Sequence, residues 1–271
     1  MTLRRRPALA ALLCSFLLTA CEPAADPDDH AAERSIDHAA VRESSDRAAA
    51  DRVDHYVLAL SWQPTFCEFN EDKPECRELD EADFAATHLA IHGLWPDSAQ
   101  GTRLRYCGVE EDVQRIDRQS RWCELPEPDI SDKTRVELER AMPGVRSCLD
   151  RHEWIEHGTC APVSAEEYFA VTLRLASDVR ASRLGKLLAA NINRTLPRRQ
   201  LIEAFEAEYG PGTGRALTLL CKALGEESLL IEIRITLEPA ALDGRLDGRD
   251  LRLGKPRGSC PANILIDPVG P

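Results

Sequence analysis

The sequence predicts a single α+β domain, with a central antiparallel sheet flanked by helices and stapled by disulfides. Three observations predict it. A buried-strand run, His55–Ser61 (HYVLALS), stands at the start of the core, and an alternating run, Leu229–Leu237, stands near its end. Capped helical segments lie between them instead of a regular β-α-β alternation, which excludes a doubly wound sheet. Eight cysteines are spread through the same stretch.

The chain has 271 residues, and its beginning reads as address and tether. Arg4, Arg5 and Arg6 precede an apolar run from Ala8 to Ala20. That run is too short to span a bilayer and has signal-peptide flanks. It ends in Leu18-Thr19-Ala20-Cys21, which resembles a bacterial lipobox, so residues 1–20 are expected to be removed and Cys21 to be lipidated. Residues 21–52 read as a flexible acidic tether. From Glu22 to Asp54 there are ten acidic and four basic residues and no glycine, too polar a mixture to bury itself. His30 and His38 in this stretch are expected to be solvated bystanders.

The core is expected over residues 53–262, followed by a C-terminal tail over 263–271. After the first strand, Thr87–Ile91 alternates and reads as a second, ended by Gly93 and Pro96. Leu149–His157 reads as helical. Ser164 and Glu167 form a capping box that opens a helical run through Ala190. Leu201, Phe205 and Tyr209 mark one face of a further helix, stopped by Gly210. In the last strand Ile231, Ile233, Ile235 and Leu237 alternate with Glu232, Arg234 and Thr236. Leu217, Leu219 and Cys221 suggest its antiparallel partner across Gly225.

Ten cysteines point to an oxidising compartment. Cys14 leaves with the signal and Cys21 carries lipid. Cys67, Cys76, Cys107, Cys123, Cys148, Cys160, Cys221 and Cys260 remain, enough for four bridges whose connectivity the count alone leaves open. No C-x-x-C pair exists, so neither a redox motif nor a zinc ribbon is expected. A net charge of −12 argues against tight binding to nucleic acid by bulk charge. Two basic runs remain as candidate phosphate-facing patches: Val171–Gln200, with seven Lys or Arg against Asp178, and Arg245–Arg257, with five against Asp247 and Asp250.

Five histidines lie outside the tether: His55, His88, His92, His152 and His157. Two local sequences hold three of them, Ile91–Asp97 (IHGLWPD) and His152–Cys160 (HEWIEHGTC). A zinc helix would need H-E-x-x-H, whereas this is H-E-x-x-x-H. On a continuous helix the two rings would diverge by about 140°, so no metal and no cofactor is expected. Acid–base chemistry suits the pair better, because imidazole titrates near neutrality and two rings can hold opposite protonation states. Glu153 stands four residues before His157, on the same helix face. Serine-hydrolase and phosphate-loop motifs do not occur. His55 and His88 read as structural.

These two motifs resemble the paired active-site segments of the ribonuclease T2 family. The match runs Ile91-His92-Gly93-Leu94-Trp95-Pro96-Asp97, then His152-Glu153-Trp154 and His157-Gly158-Thr159-Cys160. Weaker similarity appears in Leu60–Cys67 and in Cys221 followed by Glu232-Ile233-Arg234. The resemblance implies metal-independent cleavage of single-stranded RNA through a 2′,3′-cyclic phosphate. It implies His157 as base, His92 as acid, Glu153 as support for the charge rearrangement and His152 as the phosphate ligand. Trp95 and Asp97 match positions able to contact a base. It also implies the pairs Cys107–Cys160 and Cys221–Cys260; Cys67–Cys76 and Cys123–Cys148 would complete the set.

One departure stands out. The family motif usually has Lys or Arg directly before the second catalytic His, and here Glu156 takes that place. Loss of one cation facing the phosphorane costs on the order of 10²-fold in rate. A slower, acid-favouring enzyme is expected, with Glu156→Lys raising turnover. The alternative is a catalytically weakened RNA-binding or signalling protein on the same fold. The expected partner is single-stranded RNA, the membrane is met only through the lipid anchor, and the chain is expected to be a monomer in the periplasm or cell envelope, or secreted.

Overall fold

The computed structural model describes residues 53–98, 104–255 and 258–270. The signal segment, Cys21 and the tether lie outside the described residues.

Six strands form one sheet: β1 His55–Ser61, β2 Ala90–Asp97, β3 Arg194–Pro197, β4 Leu217–Leu224, β5 Glu227–Leu237 and β6 Asn263–Ile266. Their order is β2-β1-β5-β6-β3, with β4 on the other edge of β5. All pairings are antiparallel except the short parallel contact between β5 and β6. Nine helices complete the described fold: α1 Gln63–Glu68, α2 Pro74–Arg77, α3 Phe84–Thr87, α4 Glu111–Arg118, α5 Asp132–Ala141, α6 Leu149–Glu156, α7 Ala165–Ala181, α8 Arg183–Ala189 and α9 Arg198–Tyr209.

The period-2 pattern sorts the two faces of the sheet. Leu58, Leu60, Ile91, Leu94, Ile233 and Ile235 are buried in a core that includes Tyr168, Phe169, Leu175 and Val179 of α7. Each such burial stabilises by about 1.5–3 kcal/mol. The opposite face of β1 and β5 holds Val57, Ala59, Glu232, Arg234 and Thr236, and register pairs Ala59 with both Gly93 and Arg234.

The second strand differs from its expectation. Thr87 ends helix α3, and the strand starts at Ala90 and continues through Gly93 and Pro96 to Asp97. Proline is tolerated because β2 is an edge strand, where a missing N–H interrupts no ladder. Leu60 pairs with Ile91 and Ala59 with Gly93, so His92 is the extra residue of a β-bulge.

The helical run from Ser164 is also divided. Ser182 is extended, ends α7, and its hydroxyl accepts from the Gly185 N–H to cap α8. The segment expected as a tail belongs to the sheet: Ile264 and Ile266 of β6 are fully buried. Beyond it the Asp267 carbonyl accepts from Trp62 Nε1 at 2.7 Å. Four alternating residues were too short a signal to read as a strand.

The structure joins Cys107 to Cys160 and Cys221 to Cys260, the pairings that the family resemblance implies, and Cys67 to Cys76 and Cys123 to Cys148, the two that complete the set. Several arginines of the two basic runs are taken up within the fold. Arg174 donates to the carbonyls of Ala241 and Leu242, Arg180 to those of Leu89 and Ala141, and Arg198 to that of Cys260. Arg199, Arg249 and Arg252 pair with Glu203, Asp247 and Glu238.

Candidate active site

The bulge decides how β2 presents its motif. In a regular strand His92 and Trp95, three apart, would lie on opposite faces. The extra residue restores parity, and both rings reach the face that carries Glu232 and Arg234. Their centroids lie 5.2 Å apart, edge to face. Gly93 between them must lack a side chain: a Cβ there would overlap the Glu153 carboxylate and come within 2.7 Å of Trp95 Nε1.

The second motif comes from α6. The helix starts after Cys148, whose left-handed backbone (φ 61°) and bridge to Cys123 fix its entry. Glu153, 1% exposed, points at β2. Its carboxylate accepts from Trp95 Nε1 at 2.8 Å and lies 3.6 Å from His92 Nε2. Burial raises its pKa, while His92, His152 and the indole hydrogen bond pull the other way.

His92 is oriented by Glu232, a residue to which the sequence motifs assign no role. Its Nδ1 lies 2.6 Å from Glu232 Oε2 on β5, which leaves Nε2 facing Glu153 and the cleft. Burial opposes a charge on His92, but the Glu232 hydrogen bond and the nearby Glu153 outweigh it, and its pKa is raised. Burial likewise works against the Glu232 charge, but His92 and Arg234 prevail and its pKa is lowered. Arg234 Nε donates to Glu232 Oε1 at 2.5 Å, and its guanidinium sits 4.8 Å from the Trp95 ring. The sequence signals for Glu232 and Arg234 are the weaker family similarity of Glu232-Ile233-Arg234 and their placement on the polar face of an otherwise apolar alternating strand.

His152 stacks on Trp122 at 4.4 Å, and its Nδ1 lies 2.7 Å from Asp117 Oδ1. Asp117, buried at the end of α4, also accepts from Tyr106 Oη at 2.7 Å. His152 Nε2 lies 3.3 Å from Glu156 Oε2. Burial disfavours its charge, yet the Asp117 hydrogen bond and the surrounding Glu153, Asp117 and Glu156 raise its pKa. Asp117, Tyr106 and Trp122 carry no signal in the sequence, because only the fold brings them to His152.

The expected divergence of His152 and His157 does not occur. Helix α6 ends at Glu156, and the His157 backbone (φ −119°, ψ −52°) turns out of the helix, leaving the two rings 6.2 Å apart. His157 in turn lies 5.5 Å from Trp95. The rings of His92, Trp95, His157, His152 and Trp122 thus form one continuous row. Ligand atoms of His152, Glu156 and His157 lie within 4.8 Å of one another, so these three residues are placed to share a metal ion.

Glu156, 7% exposed, has a partner the sequence did not reveal. Arg105 Nη1 meets its Oε1 at 2.8 Å, and the neighbouring Tyr106 N–H donates to the Glu156 carbonyl. The Cys107–Cys160 bridge ties this segment to the end of α6. A cation therefore stands beside Glu156, and Glu156→Lys would set a like charge against Arg105. The simple expectation of faster turnover rests on a site without Arg105.

Trp95, Asp97 and His157 line a cavity of about 220 Å³ together with Leu104, Thr218 and Arg234. Asp97 Oδ2 is 3.9 Å from His55 Nε2. His88 stacks on Phe84 at 4.4 Å, away from the ring row.

Comparison with known proteins meets this geometry. Ribonuclease I of Escherichia coli (strain K12) is 33% identical over 237 residues, which cover 80% of this chain and 87% of that protein. Human ribonuclease T2 is 29% identical over 129 residues, 44% of this chain and 41% of its own. Among solved structures, a mutant of RNase MC1 in complex with 5′-UMP superposes with a TM-score of 0.54 at 21% identity, covering 79% of this chain and 98% of its own. RNase NT in complex with 5′-AMP gives 0.52 at 18% identity, covering 80% and 98%. Residues 53–245 match the Ribonuclease T2 family profile, so the chain belongs to the ribonuclease T2 family.

Proposed function

We propose that this T2-family endoribonuclease cleaves single-stranded RNA without a metal ion, with His157 and His92 as general base and acid. His157 takes the proton of the ribose 2′-hydroxyl, whose oxygen attacks the adjacent phosphorus. His92 Nε2 gives a proton to the departing 5′-oxygen, leaving a 2′,3′-cyclic phosphate and a 5′-hydroxyl. In the second step the roles reverse: water attacks the cyclic phosphate and a 3′-phosphate results. Glu153 steadies the imidazolium of His92 as protons move. His152, its charge favoured by its acidic neighbours, holds the phosphate. Trp95 offers a ring face and Asp97 a carboxylate to one base in the cavity they share.

The observation that carries this reading is the orientation of His92. One nitrogen is committed to Glu232, and the other faces a cleft lined by Glu153, Trp95 and, beyond Trp95, His157. A proton donor for a leaving alkoxide needs that fixed tautomer and that raised pKa. The test incubates the chain with RNA and EDTA beside His92→Ala and His157→Ala. Wild-type cleavage to cyclic-phosphate ends, lost in both variants, supports the mechanism. Equal cleavage by all three, or RNA binding without a cyclic product, refutes it.

We also propose that the chain acts as a monomer exported to the cell envelope or periplasm and held there by lipid on Cys21. Among the described residues no helix is long and apolar enough to cross a membrane. Radiolabelled fatty acid should enter the wild-type chain and not Cys21→Ala.

A further inference from the structure

We propose that His152, Glu156 and His157 form a binding site for one divalent transition-metal ion of the zinc class, and that metal bound there blocks RNA cleavage. Binding follows from geometry alone, whereas the block rests on the ribonuclease reading above.

The ligand set is two imidazoles and one carboxylate, a combination zinc accepts. Tetrahedral bonds of 2.0–2.1 Å place neighbouring ligand atoms about 3.3 Å apart. His152 Nε2 and Glu156 Oε2 already stand at 3.3 Å. All three ligand atoms lie within 4.8 Å, so closing the site needs roughly a 1.5 Å movement of the His157 ring. That ring sits just past the helix end, where its backbone has left the α6 spiral.

The residues around the three ligands are built to hold them. A metal-binding histidine gives its other ring N–H to a carboxylate, which fixes the tautomer and aims the lone pair. His152 has this arrangement, with Nδ1 on Asp117, Asp117 held by the Tyr106 hydroxyl, and its ring stacked on Trp122. The second Glu156 oxygen is held by Arg105, which points its partner oxygen at His152. Neither His152 nor Glu156 is an exposed surface acid or ring: their side chains are 16% and 9% exposed.

Glu156 is the residue that makes the site. A lysine or arginine at its position would repel a divalent cation. With Glu156 there, the cluster that faces the phosphate in the ribonuclease reading becomes chelating as well. An ion on His157 takes up the lone pair that would accept the 2′-hydroxyl proton, and an ion on His152 removes its cationic N–H from the phosphate. Metal and turnover therefore exclude each other at the same atoms.

The test uses the full exported chain carrying His30→Ala and His38→Ala, so that tether histidines contribute nothing. Zinc chloride alone is titrated into it by calorimetry, without RNA. One ion per chain is expected, with affinity weakened at least tenfold by Glu156→Gln and independently by His157→Gln. The second variant changes a residue outside the buried Arg105 pair, and melting curves of both report folding. RNA cleavage should fall over the same zinc range that fills the site, recover with EDTA, and need at least tenfold more zinc in Glu156→Gln. Absence of binding at millimolar zinc overturns the proposal. So does binding that neither variant weakens, or zinc that accelerates cleavage. Because calorimetry needs no turnover, a chain that binds zinc but cuts no RNA overturns the ribonuclease mechanism and leaves the metal site standing.

Discussion

Replacing Glu232 by Gln should move the alkaline limb of the pH–rate profile toward acid and leave the acid side near wild type. The Glu232 carboxylate holds His92 Nδ1 at 2.6 Å in a buried setting. A hydrogen bond between charged groups contributes about 1.5–3 kcal/mol. Glutamine keeps the shape and the acceptor but removes the charge. Each 1.36 kcal/mol changes the proton affinity of the imidazole about tenfold. Glu153, 3.6 Å from Nε2, still favours the proton, which places the loss toward the lower end of that range. At pH values above the His92 midpoint, kcat/KM should therefore fall roughly 10- to 30-fold. The sign follows from the role. His92 must carry a proton to act as acid, Glu232 raises its pKa, and removing the charge empties the acid form first at high pH. The assay is kcat/KM on a short single-stranded RNA from pH 4 to 9, with the cyclic-phosphate product quantified. A profile of unchanged shape, whether lowered uniformly or not at all, would refute the reasoning.

Three further outcomes can be checked. Asp117→Asn should weaken the charge on His152, raising KM for RNA about tenfold while kcat changes less, in steady-state kinetics. Gly93→Ala forces a Cβ into the Glu153 carboxylate and should cost about 1–3 kcal/mol, a drop of roughly 3–10 °C in Tm read by calorimetry, together with loss of cleavage. Burial, aided by Glu68, pushes the Asp267 carboxyl up to about 6, against the Thr65 hydroxyl. A raised carboxylate destabilises the folded state above that pH and not below its unfolded value, so Asp267→Asn should stabilise by about 2–3 kcal/mol at pH 7 and by little at pH 4, in urea melts.

The candidate active-site motifs were legible in the sequence because each is local. His92 and Trp95 share one short segment, and Glu153 and His157 share another. The strand β5 was legible because Ile233, Ile235 and Leu237 alternate with polar residues over a long run. What the sequence hid was the contact made across the sheet or between distant loops. Asp117 meets His152 across 35 positions, and Arg105 meets Glu156 through a segment anchored by a disulfide. Neither approach has a periodicity to read. The ends of elements were hidden for a different reason. Pro96 looks like a stop until edge position is known, and the divergence argued for His152 and His157 assumed a helix one residue longer than α6.

The bulge at His92 gives the first motif a property that its letters do not show. A pleated strand counts in twos, and one unpaired residue changes the count from odd to even. Drawing the bulge out, so that every residue from Ile91 to Trp95 pairs in regular register, would send one of the two rings through the sheet into the apolar core. Swapping side chains within the segment leaves this parity intact; losing the bulge at unchanged length does not. The site thus depends on a number as strictly as on a set of functional groups, and a redesign that preserves every reactive residue but straightens β2 would still take His92 away from Glu232 or Trp95 away from Glu153.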